Sequence, residues 1–143
     1  MRRAAVALLL AVLSLALLPA ATRAEAGVRV EVDRGSQTMA VIVDGVHRYT
    51  WPVSTGRRGY GTPAGVFHPR MMAAHWFSRI YYNAPMPHAI FFNGGIAIHG
   101  SYDIARLGGP ASHGCVRLHP GNATVLFDLI QREGMHHTTI VVE

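Results

Sequence analysis

Polar and apolar positions alternate strictly where the region that reads as a folded domain begins. Val28, Val30 and Val32 interleave with Arg29, Glu31 and Asp33, the period-two pattern of a strand with one face in a core. Arg34-Gly35-Ser36 is a turn. Residues 39–43 read as a second strand, Asp44-Gly45 as a tight hairpin, and residues 46–53 as a third strand. Three short strands on short turns predict an antiparallel meander. Residues 54–65 hold four glycines and one proline, which forbids regular structure. Residues 66–87 follow as an irregular, aromatic segment, and residues 89–92 and 96–98 read as two buried strands around Asn93-Gly94-Gly95. The period changes once, near the end. Pro120 suits a first helical turn, Val125, Leu126, Leu129 and Ile130 recur at helical spacing, Arg132 favours the negative end of the helix dipole, and Gly134 suits the stop. Residues 138–142 form a β-branched closing strand. The predicted class is mostly β, α+β in the loose sense, with one short helix toward the C-terminus.

A different pattern precedes this region. Arg2 and Arg3 are followed by an apolar run over residues 4–18 broken only by Ser14, then by Pro19 and Ala24-Glu25-Ala26. A basic start, a short apolar run and a small-residue cleavage site make a secretory signal peptide. The run is shorter than the ~20 residues needed to cross a bilayer as a helix. We therefore expect cleavage after residue 26, an exported protein of the periplasm or cell wall, and a mature single domain of residues 27–143 with no stable membrane insertion. Cleavage also changes the charge: the +5 of the whole chain falls to +3, all of the cations being arginine. Arg57-Arg58 is the only basic cluster and reads as a solvated loop, so nucleic acid is not an expected partner.

Cys115 is the only cysteine. It cannot staple its own fold, so three readings remain: an apolar filler, an intermolecular bridge, or a reactive thiol. An ordinary thiol, with a pKa of about 8.5, becomes a strong nucleophile when a neighbouring imidazole takes its proton. Two histidines are near in sequence. His113 lies two residues before Cys115, and His99 ends an apolar strand, where a sheet can hold a base rigidly. Gly114 allows close backbone approach, and its N–H and that of Cys115 are natural donors to a developing oxyanion. Asp103, four residues after His99, reads as a polar loop residue rather than a triad acid. Nine histidines invite a metal reading, but there is no second cysteine and no His-Glu-x-x-His spacing, so no metal or organic cofactor is expected.

Ser112-His113-Gly114-Cys115-Val116-Arg117-Leu118, preceded by Ile98-His99-Gly100, resembles the signature of the L,D-transpeptidase catalytic (YkuD) domain. Pro52-Val53-Ser54-Thr55-Gly56, Gly61-Thr62-Pro63-Ala64-Gly65 and the stretch from Ala84 through His88 to Phe92 resemble the family as well. The resemblance spans nearly all of residues 28–142. It implies a β-sandwich of mixed sheets, with Cys115 as nucleophile and His99 as general base, oriented by a carbonyl just downstream, most simply that of Gly100. His113 would support the nucleophile or the oxyanion, Ser112 would brace the turn, and Arg117 would face the substrate, where some relatives carry Asn. It also implies a donor and an acceptor that are peptidoglycan stem peptides, and acylation of Cys115 by carbapenems; docking to other wall proteins is open. Water as acceptor, giving a carboxypeptidase or a hydrolase that detaches proteins from the wall, and a non-catalytic wall-binding domain are the alternatives. Of the aromatic and methionine side chains over residues 71–86, most are expected in the core. Tyr82, Met86 and His88 are expected at the rim of the cleft.

Overall fold

The computed structural model describes residues 25–143. The apolar run read as an export signal lies outside the described residues. The strands are β1 (Val28–Asp33), β2 (Thr38–Val43), β3 (Val46–Pro52), β4 (Gly65–Phe67), β5 (Met71–Ala73), β6 (Ala89–Asn93), β7 (Ile96–Gly100), β8 (Val116–Leu118) and β9 (Thr138–Val142), with one α-helix, α1 (Pro120–Glu133). They form a five-stranded sheet in the order β3-β2-β1-β9-β4 and a four-stranded sheet in the order β5-β6-β7-β8. Both sheets are mixed: β1 runs parallel to β9, β7 runs parallel to β8, and the other pairs are antiparallel. Among the described residues no helix is long and apolar enough to cross a membrane.

The expected meander is β1-β2-β3, and its turns follow from local chemistry. The Asp33 carboxylate accepts from the N–H groups of Gly35 and Ser36 at 2.7 and 3.1 Å, closing the first turn from the side chain. At the second, Asp44 and Gly45 both take positive φ, 50° and 77°, as a two-residue hairpin with right-handed strands requires. Alternation then sorts the side chains. Val28, Val30 and Val32 are buried against Ile90, Phe92, Ile98, Val116 and Leu118 from the second sheet, and α1 adds Ala123, Leu126, Leu129 and Ile130 to the same core. Each large apolar side chain, fully buried, contributes ~1.5–3 kcal/mol.

Three details differ from the expected pattern. Val125 is 39% exposed, because the buried stripe of α1 runs Ala123, Leu126, Phe127, Ile130, spacings of three and four that leave Val125 to one side. Residues 66–87 are less irregular than their composition implies. They contribute β4, on the edge of the larger sheet against β9, and β5, on the edge of the smaller one against β6. Strands of three residues carry no readable periodicity, and the third strand missed, β8, is equally short. Nor is the aromatic segment mainly core: Met71, Phe77 and Tyr82 are exposed, whereas Met86 is buried and Trp76 packs beside it.

The two faces of the smaller sheet have separate tasks. Ile90, Phe92, Ile98, Val116 and Leu118 point into the sandwich. The alternate residues, Ala89, Phe91, Ala97 and Cys115, lie together on the opposite face with Met86 and Trp76. Of these, Met86 and Cys115 line a cavity.

Candidate active site

The parallel register of β7 and β8 pairs Ile98 with Val116 and His99 with Arg117. Side chains of paired residues share a face and alternate along each strand. Since Ile98 and Val116 point into the core, His99, Arg117 and Cys115 point outward with Ala97. His99, Cys115 and Arg117 line one cavity of about 450 Å³, together with Met86, Tyr81, Ile80, Ile96, Ser112, His113 and Asp103. Side chains far apart in sequence thus meet because two strands are parallel and the loop between them brings the chain back.

His99 is buried, with Nδ1 2.7 Å from the carbonyl oxygen of Gly100. A carbonyl only accepts, so Nδ1 carries the proton and Nε2 is the free lone pair. Burial pushes the imidazole down to about 4, against a partial lift from the Gly100 carbonyl and a further push downward from Arg117. Gly100 has a second task on the core side: a Cβ there would meet Pro120 Cα at 3.1 Å and Ala123 Cβ at 3.3 Å. Its lack of a side chain lets α1 pack on the strand that carries His99.

Cys115 is half-buried, with Ala97 N–H donating to Sγ at 3.4 Å. Burial pushes the thiol up; the Ala97 N–H and Arg117 act against that. A lowered imidazole and a raised thiol favour the same resting state: neutral thiol and neutral His99, not a preformed ion pair.

The turn before Cys115 is tied to the glycine-rich loop. Ser112 Oγ donates to the Cys115 carbonyl and accepts from Gly114 N–H at 3.0 Å. Gly114 has φ 126°, a left-handed conformation that favours glycine. Its carbonyl accepts from Thr62 Oγ1 at 2.8 Å, and Thr62 Oγ1 accepts from Gly56 N–H at 2.9 Å. Ser54 exchanges both backbone hydrogen bonds with Arg117, and Thr55 O accepts from the N–H groups of Ala111 and Ser112. The loop is thus a scaffold for the cysteine turn. Gly56 is required there by sterics: a Cβ would lie 1.8 Å from Tyr60 O and 2.9 Å from Thr62 N, backbone atoms that cannot swing aside. Gly56→Ala is expected to lower stability by ~1–3 kcal/mol, the usual penalty of overpacking, read as a fall in the urea midpoint with unchanged slope.

Placement of the remaining expected residues divides. Met86 and Arg117 line the cavity, Arg117 with Nη1 3.8 Å from Asp103 Oδ2. Asp103 pairs more closely with Arg106, at 3.3 Å, while His99 Nδ1 is held by Gly100. Tyr82 and His88 are not at the rim. Tyr82 and Asn83 have positive φ, 53° and 52°, which leaves Tyr82 98% exposed, while Tyr81 lines the cavity instead. His88 faces α1, with Nδ1 3.2 Å from Thr124 Oγ1 and its ring edge-on to Phe127. His88 lies just before β6 with φ 53°, left-handed backbone that takes it out of the strand alternation beginning at Ala89. Gly114 N–H, expected as an oxyanion donor, is engaged by Ser112 Oγ. Tyr81, in the cavity wall, and Arg57, behind it, were missed. Tyr81 stacks on His113 with ring centroids 4.0 Å apart, and Arg57 Nη2 lies 2.9 Å from His113 Nε2. A residue after a glycine in a solvated-looking loop carries no local mark of such a contact. Among the described residues no group of His, Cys, Asp and Glu is placed to hold a metal ion.

Comparison with solved structures finds the same architecture in an L,D-transpeptidase from Mycobacterium smegmatis, at 27% identity and TM-score 0.73, covering 82% of this chain and 59% of that one. L,D-transpeptidases from Stackebrandtia nassauensis and Xylanimonas cellulosilytica match at 28% identity each, with TM-scores 0.72 and 0.71; both cover 85% of this chain and, respectively, 57% and 62% of theirs. The chain thus spans less than two thirds of the length of these structures. No curated protein sequence matches it. The family model of the L,D-transpeptidase catalytic domain (YkuD) matches residues 27–142, a match that takes in both sheets, the helix and every residue of the cavity, and the chain belongs to that family.

Proposed function

We propose that the protein is a peptidoglycan L,D-transpeptidase, a cysteine-dependent acyltransferase that cross-links stem peptides. The observation that carries this reading is the sharing of one cavity by Cys115 and a His99 whose Nδ1 is held by the Gly100 carbonyl, in a chain of this family. Cys115 Sγ attacks the carbonyl that joins the third residue of a donor stem to its terminal D-residue, and its proton passes to His99 Nε2. The C–N bond breaks, the departing amine takes that proton, and a thioester remains. An acceptor amine then attacks the thioester and gives its proton to His99, and the leaving thiolate is reprotonated from there. A thiolate attacks a carbonyl unaided, so the steps call for no metal or organic cofactor. Arg117, on the cavity face beside His99, is the side chain best placed to meet a substrate carboxylate. Residues 1–26, read as an export signal, would carry this chemistry to the periplasm or wall.

The test is intact mass and product analysis after incubation with purified stem tetrapeptide, and separately with a carbapenem. A thioester adduct and cross-linked dimers are expected. Free tripeptide as the only product would replace the acceptor amine with water. Folded protein that neither forms an adduct nor turns over would overturn the reading in favour of a non-catalytic wall-binding domain.

A further inference from the structure

The adjacent arginines 57 and 58 have different surroundings. Arg58 is exposed, whereas Arg57 is half-buried between two rings. Its guanidinium carbon lies 4.5 Å from the Tyr60 ring centroid, and its Nη2 lies 2.9 Å from His113 Nε2. A guanidinium has donors and no acceptor, so Nε2 of His113 must be the acceptor and the proton of the neutral ring must sit on Nδ1. The ring is also fixed in plane. Tyr81 stacks on one face at 4.0 Å and 10°, and Tyr60 meets it edge-on at 4.8 Å and 86°. Arg57 is in turn tied to the cysteine turn, its N–H donating to Ser112 O at 3.0 Å. His113 Nδ1 takes no partner among the described residues, and no buried side-chain polar atom among them is left without one. Nδ1–H is therefore open to solvent, on a ring that lines the cavity with Cys115.

We propose that Arg57 is a positioning residue that locks His113 in the neutral Nδ1–H tautomer, so that the ring presents a hydrogen-bond donor to the oxygen that becomes negative when Cys115 attacks a carbonyl. This rests on the acyl-transfer reading above. It also supplies what the engaged Gly114 N–H does not, a free donor in the cavity. In the other tautomer Nδ1 would aim a lone pair at the oxyanion. The groups facing the ring are Arg57 and Tyr60 from the glycine-rich loop, Tyr81 from the aromatic segment, Cys115 and Arg117 from its own segment, and His99 and Asp103 across the cavity. Burial first, then Arg57 and Arg117, hold the imidazole below its ordinary value, which keeps it neutral in the presence of both cations.

Three variants of the full chain, labelled with nitrogen-15 in histidine, test this, with His113→Gln identifying the ring signals. Long-range proton–nitrogen correlation at pH 7 is expected to find Nδ1 protonated and Nε2 bare in the native protein. Arg57→Gln retains an N–H donor and is expected to retain the tautomer, with titration moved toward the ordinary value. Arg57→Leu removes both donor and charge and is expected to give mixed tautomers. Acylation of Cys115 by stem tetrapeptide should fall about ten- to a hundred-fold in Arg57→Leu, part of the effect of losing one oxyanion donor, and recover in Arg57→Gln. Alkylation by iodoacetamide develops no oxyanion and should be unchanged in both. A protonated Nε2 in the native protein, an unaltered tautomer in Arg57→Leu, or an equal slowing of alkylation and acylation would each overturn the proposal. If the native protein performs no acyl transfer, the proposed function fails while the nitrogen spectra still decide the tautomer.

Discussion

Cys115→Ala is expected to abolish the proposed thioester formation and transpeptidation, a loss on the order of a million-fold, while leaving the protein folded. The magnitude is that of removing a nucleophile that acts as a unit with its base. Retention of fold follows from the position of the side chain. Cys115 is half-buried on the cavity face of the smaller sheet, beside Met86, Ala89, Phe91 and Ala97, and outside the core formed by Val116 and Leu118 on the other face. Removing one sulfur there takes from the Ala97 N–H only a long 3.4 Å contact, and the carbonyl of residue 115 remains bonded to Ser112. Intact mass after incubation with tetrapeptide or carbapenem checks the first half, and a urea melt checks the second. A Cys115→Ala protein that still forms an adduct would place the nucleophile elsewhere. Because burial raises the thiol and lowers His99, alkylation of the native protein by iodoacetamide should accelerate steadily with pH. It should show no plateau between about pH 5 and 7, as a preformed thiolate would.

The second large effect concerns His99. His99→Gln is expected to slow acylation by ~10²–10⁴-fold, the range for a general base, and to change how stability depends on pH. Free imidazole titrates at 6.5, and burial holds His99 at about 4 in the fold. Above pH 6.5 both the folded and the unfolded states are neutral at this position, and the fold keeps its full stability. As pH falls from 6.5 toward 4, the unfolded chain takes up a proton that the folded one refuses, so stability is lost over that window. The loss attributable to this group is at most ~3.5 kcal/mol, since each tenfold difference in proton affinity between the two states is worth about 1.4 kcal/mol. His113, also held low, acts in the same direction. The Asp33 carboxylate, lowered by its Ser36 and Gly35 hydrogen bonds, adds a further loss only at more acid pH. The informative quantity is therefore the difference between native protein and His99→Gln in urea stability at pH 7 and pH 4.5. A shallower pH dependence in the variant is expected; parallel curves would mean that His99 is not the buried neutral base described.

How the site was assembled separates what is local from what is not. The alternation of Val28, Val30 and Val32 needs only the pleat of a strand, and Asp44-Gly45 needs only the steric freedom of a two-residue turn. Both were legible because neighbours in sequence set them. So was the sharing of one cavity by His99 and Cys115, through the resemblance carried by their flanking residues. The short strands β4, β5 and β8 were not, because three residues are too few to show a period and their partners are distant in the chain. Tyr82 and Tyr81 illustrate the same limit within two adjacent residues: identical side chains, one turned into the cavity and one into solvent, as left-handed backbone at residues 82 and 83 directs.

Residue order alone was enough for the class of fold, the position of the helix, the single thiol and the histidine that shares its cavity, because each rests on local stereochemistry or on a compact motif. Which face each residue of the smaller sheet presents depended on tertiary packing, because the parallel register between β7 and β8 is set across the sandwich. The reach of Arg57 to His113, the capture of the Gly114 N–H by Ser112 and the turning of His88 to α1 depended on it too. Most of these join segments far apart in the chain, and their geometry exists only once the two sheets have closed on their common core.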